Sequence, residues 1–97
     1  MLDNRFVELA RGLVKIYEEK YNLLCPIVLE VVNKKEENIN VIEHLLDLLL
    51  DLPTTKGEEL FYYLVNYYSS LNKEDADFYM NEYKNLYGEE NEDVKKL

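Results

Sequence analysis

A chain of 97 residues, 47% of them hydrophobic, can bury one real core without disulfides or metal, and that apolar share argues against disorder. Twenty acidic against eleven basic side chains leave a formal charge of −9, a surface that repels phosphate backbones and argues against direct nucleic-acid binding. The lone Cys25 rules out an intrachain disulfide, and the opening MLDNRFVELARG, with Asp3 early and no unbroken apolar region, does not read as a secretory signal. A cytoplasmic protein that does not engage membranes is expected.

The charge is graded along the chain. Residues 1–25 carry four acids and four bases, residues 26–57 six and three, and residues 58–97 ten and four. Such a surface implies a protein partner with basic charge, or plain solubility. Ten Asn, nine Tyr and only two Ala hint at an AT-rich coding sequence, which biases residue usage without a functional cause.

In chain order, Asp3 is a candidate N-cap for a helix from about Asn4 to Tyr21. Phe6, Leu9, Leu13, Ile16 and Tyr17 form its stripe, widened by Ala10, Val14 and Tyr21. The pairs Glu8–Arg11 and Lys15–Glu19 lie on the opposite face. This pattern predicts an amphipathic core helix. Gly12 costs it roughly 1 kcal/mol against Ala, and either admits a close neighbour or is unselected. The stretch LLCPIVLEVV, Leu23 to Val32, has strand-like content but no partner strand elsewhere, and an unpaired strand leaves backbone groups unsatisfied. Pro26 is tolerated in a first helical turn, so a short buried helix from about Pro26 to Lys34 is predicted, with a polar connection over 34–38.

The most apolar stretch is INVIEHLLDLLLDL, Ile39 to Leu52, with Asn38 placed to cap it. Only Asn40, Glu43, His44, Asp47 and Asp51 stay polar, a narrow strip, so this reads as the central rod with its acidic strip in water. Leu45 and Leu49 are the predicted core anchors. Pro53 stops it. Thr55 and Glu58 read as a capping box for a helix from about Lys56 to Leu71. Leu60, Phe61, Leu64, Val65, Tyr68 and Leu71 share one face, Tyr63 and Tyr67 flank it, and Tyr62 projects on the far side. Asn72, with Asp75 at the third position, caps a last helix that ends near Tyr87 before Gly88. Its inner face is Ala76, Tyr79, Met80, Tyr83, Leu86 and Tyr87. Residues 89–97 have no apolar periodicity and read as a frayed acidic tail. Together these elements predict a compact all-α bundle of about five helices without a sheet, in one domain over 1–88.

Catalytic constellations are sparse. His44 is the single histidine, and Asp47 follows one turn later, but Cys25 sits in an apolar run that raises a thiol pKa rather than activating it. Glu43, Asp47 and Asp51 recur every four residues on a strip that reads as solvated, without calcium-type loop spacing. No enzyme, cofactor or metal is expected. Binding has better candidates. Phe78 falls on the charged side of the last helix with Glu74, Asp77 and Glu82, and Tyr62 points outward, so these five are the expected partner-binding residues. The leading expectation is a small acidic interaction module, such as a phage- or plasmid-type inhibitor that occupies a partner's basic, nucleic-acid-binding surface. The alternative is a helical subunit that self-associates through its last helix. A monomer or weak homodimer is expected.

Overall fold

A computed structural model of the chain describes residues 4–88, which fold into four helices: α1 (Asn4–Asn33), α2 (Ile39–Leu50), α3 (Thr55–Leu71) and α4 (Lys73–Tyr87). The described residues contain no strand, as the sequence implies. The Asp3 cap and the 89–97 tail lie outside them.

The first two predicted helices are one. α1 runs unbroken through Pro26, although proline removes the amide that would bond the Asn22 carbonyl. Packing overrides that cost: Leu24 and Val28, on either side of Pro26, are both buried in the core and hold the two halves on one axis. Asn22 and Pro26 are both exposed, so the break in the ladder is on the solvent side. The helix ends in a Schellman turn, with Lys35 N donating to the Val32 carbonyl at 3.1 Å and Glu36 N to the Val31 carbonyl at 2.9 Å. Lys35 takes the left-handed position, φ 54°, that glycine usually fills.

The remaining boundaries follow their caps. The Asn38 side chain accepts from Asn40 N at 3.0 Å and opens α2. Thr54, rather than Thr55, caps α3 and accepts from Gly57 N at 2.9 Å. The third position is therefore Gly57, which has no side chain to return the bond, so the predicted box closes from one side only. Gly57 is required by space: a Cβ there would sit 2.6 Å from the Leu52 carbonyl oxygen and 2.8 Å from Leu52 Cγ. Asn72 serves two helices at once. Its amide donates to the Tyr68 carbonyl at 2.8 Å to close α3, and its side chain accepts from Asp75 N at 3.1 Å to open α4. Gly88, φ 35°, ends α4.

The core joins the last three turns of α1 to α2, α3 and α4. Leu24, Val28 and Val31 meet Ile42, Leu45, Leu46, Leu49 and Leu52 of α2 and its exit, and Phe61, Leu64, Val65 and Tyr68 of α3. α3 packs directly on each of the other three helices, so it, more than α2, is the hub. Leu45 and Leu49 are buried as the periodicity predicts. The molecule is elongated: its radius of gyration is 15.4 Å and its extents are 51 × 30 × 18 Å, against about 12 Å for a compact chain of this size. The excess length is α1, whose thirty residues rise about 45 Å. Its first half runs past the other helices as an arm.

Candidate interaction surfaces

The acidic strip of α2 is an acceptor row for buried tyrosines, and only part of it is free for solvent. Tyr68, buried in α3, donates to Glu43 Oε2 at 2.6 Å and lies 3.4 Å from Asp75 Oδ2. Tyr79 of α4 donates to Asp47 Oδ1 at 3.1 Å, and Tyr83 to Glu58 Oε2 at 3.4 Å. Tyr87 donates to the Leu50 carbonyl and Tyr67 to the Glu36 carbonyl at 2.6 Å. Each ring fills core volume and ends on an acceptor at the core's edge, the use to which an amphipathic ring is suited. Burial, and after it the neighbouring carboxylates, push the Tyr68, Tyr79 and Tyr83 phenols far above their ordinary value. This explains most of the tyrosine usage on α3 and α4, which coding bias alone does not.

The apolar surface is elsewhere. The broad stripe of the first helix divides into two. One edge, Tyr17, Tyr21, Leu24, Val28 and Val31, turns to the core, and the Lys56 ammonium sits 5.6 Å from the Tyr21 ring centroid where α1 meets the start of α3. The other edge is Phe6, Leu9, Leu13, Ile16, Leu23 and Ile27, and all six are exposed, Leu9 at 74% and Leu23 at 70%. The expected core helix is therefore core only from Tyr17 onward, because α2 and α3 end short of the arm. The six exposed residues recur at alternating steps of three and four, the seam of a coiled coil, interrupted once by Lys20. Val14 is exposed beside them. Gly12 lies on the same arm, with nothing within 4 Å of where its Cβ would be.

Of the five residues expected to bind a partner, four lie on α4 and one, Tyr62, on α3. Phe78 is 59% exposed on α4, its ring edge-on to Tyr79 at 5.7 Å. Glu74 and Asp77 are exposed on the same helix, with Asp77 3.7 Å from the Lys73 ammonium, and Glu82 is half-buried. Tyr62 does not point outward. It is half-buried against the core, 5.8 Å from the Phe61 ring and 5.6 Å from Tyr83, because α4 packs over that side of α3. Conversely, Leu86, expected on the inner face of α4, is exposed. The spacing of the arm's seam shows an apolar stripe but not whether a neighbouring helix covers it, so its exposure is visible only in the fold.

His44 is exposed, Cys25 is half-buried, and among the described residues no group of three or more His, Cys, Asp or Glu side chains is placed to hold a metal. None of the described helices is long and apolar enough to cross a membrane. No family model, curated protein or solved structure matches the chain.

Proposed function

We propose that this protein is a non-catalytic interaction module that docks through the exposed apolar seam of the α1 arm. The observation that carries this reading is the exposure of Phe6, Leu9, Leu13, Ile16, Leu23 and Ile27 along one side of a single helix. Soluble monomers rarely expose contiguous apolar surface on that scale, and rows of large apolar side chains at helical spacing are what helix-to-helix recognition uses. An arm of this length is also marginal as a free helix in water, more so with Gly12 inside it. A covering partner supplies what the arm's own propensity does not.

The face around Phe78 supports a second reading. An exposed ring flanked by Glu74, Asp77 and Glu82 suits a basic partner surface of the kind that otherwise receives nucleic acid, as an acidic inhibitor would exploit. One experiment weighs the two. A photo-crosslinking benzoylphenylalanine is placed at Leu13, at Phe78 or at the exposed Ser70 of α3, and the chain is irradiated in its host cells. Adducts at position 13 that are absent at 70 are expected. Adducts at 78 alone would move the docking surface to α4, and no adduct at 13 would sink the arm as a docking element.

A further inference from the structure

We propose that the occupant of the α1 seam from Phe6 to Ile16 is a second copy of the same chain, laid antiparallel along the first with the twofold axis beside Gly12. This rests on the arm being a docking element and names its partner.

Charge is the first reason. Between residues 4 and 20 the arm carries Arg5, Arg11, Lys15 and Lys20 against Glu8, Glu18 and Glu19, whereas residues 21–88 carry twelve acids and five bases. The arm thus carries no net negative charge, and a copy of this acidic chain can approach it without the repulsion that the body as a whole presents. Parallel pairing would bring the two acidic bodies abreast and set Lys20 on Lys20 and Glu30 on Glu30 in the seam. Antiparallel pairing places the bodies at opposite ends.

Register is the second. Antiparallel helices pair the two kinds of seam position with each other, which leaves few alignments. Setting Leu13 against Leu23 puts Lys20 on Ile16 and Glu30 on Phe6, and setting Leu13 against Ile16 puts Lys20 on Leu9. Setting Leu9 against Leu13 gives the layers Phe6–Ile16 and Leu9–Leu13, each made twice, and leaves Lys20, Leu23, Ile27 and Glu30 out of the layers formed by described residues. The same alignment brings Gly12 opposite Gly12 on one flank and Ala10 opposite Ala10 on the other. The smallest side chains of the arm therefore lie where the two backbones come closest. It also sets Arg5 of each copy against Glu19 of the other. The open space around Gly12 is consistent with a neighbour there.

The test is sedimentation equilibrium of the full chain, followed by disulfide trapping. A wild-type dimer is expected, and Leu13→Glu should weaken it on the order of 100-fold or more, since each dimer loses two buried leucines. The circular dichroism of the body should survive that change. In a Cys25→Ser background, a mixture of Leu9→Cys and Leu13→Cys chains should give a disulfide-linked heterodimer, while neither variant links to itself. A wild-type monomer at 100-fold the concentration used for trapping would overturn the second copy, and the in-cell crosslink at position 13 would still decide the docking reading separately. Self-linking of Leu13→Cys alone would overturn the antiparallel geometry. A dimer split by Phe78→Ala but not by Leu13→Glu would move self-association to α4.

Discussion

The arm and the body of this molecule use the same kinds of side chain to opposite ends. Leu49 and Leu9 are both leucines on apolar helix faces, yet one is fully buried in the core and the other is 74% exposed. In the body, apolar rings and branched chains close on each other and the phenolic oxygens reach acceptors on α2, its flanks and the first turn of α3. In the arm, an equally regular apolar row stays exposed among the described residues. Periodicity specifies a sticky face in both places; only the length of the neighbouring helices decides whether that face becomes core or interface. Stability and association should therefore separate cleanly by mutation.

The largest expected effect tests that separation. Leu49→Ala should cost the body about 2–5 kcal/mol in urea unfolding, whereas Leu9→Ala, measured where the chain is monomeric, should stay within about 0.5 kcal/mol of wild type. Comparable losses at both positions would mean that the arm is held by the body after all. Gly57→Ala should come next, at about 1–3 kcal/mol, because the new methyl meets the Leu52 carbonyl, a backbone atom with little room to yield. The same change at Gly12 should raise arm helicity by circular dichroism, and it should weaken the dimer if the backbones approach there.

The smallest effect sharpens the account of the body. Tyr68→Phe keeps the ring and removes one buried hydrogen bond, so it should cost about 1 kcal/mol at neutral pH. Its alkaline signature is more specific. The folded phenol titrates above its unfolded value of 10.0, so below pH 10 both states keep the proton and nothing changes. Above pH 10 the unfolded chain releases the proton first, and stability falls as pH rises toward the folded value. Tyr79 and Tyr83 act in the same direction. Unfolding followed against pH should show this alkaline loss, made shallower by Tyr68→Phe.

Much of the body was legible in the sequence. Asn38, Asn72, Pro53 and Gly88 mark boundaries through local chemistry, and Leu45 and Leu49 follow from a helix with little polar surface. Three features were not legible, for one shared reason. Pro26 reads as a helix start locally, and it sits mid-helix because Leu24 and Val28 are anchored by residues distant in sequence. Tyr62 reads as outward until the position of α4 is known. The stripe from Phe6 to Ile16 reads as core because spacing shows that a face is apolar without showing where the opposing helix ends. The hydrogen bonds from Tyr68 to Glu43 and from Tyr79 to Asp47 likewise join helices that no local pattern relates.

The dual role of Asn72 has a kinetic consequence. A single residue closes α3 and opens α4, so bringing these two helices together requires almost no loop to be ordered, and loop closure is the main entropic obstacle to early native contacts. The α3–α4 hairpin is thus the cheapest nucleus the chain possesses, with Phe61 against Tyr83 at 4.6 Å already within it. α2 joins across a short connection, and α1 is added through its second half, from Tyr17 onward. The transition state for folding is expected to be polarised toward the C-terminal half, with the exposed seam of α1 taking no part in the rate.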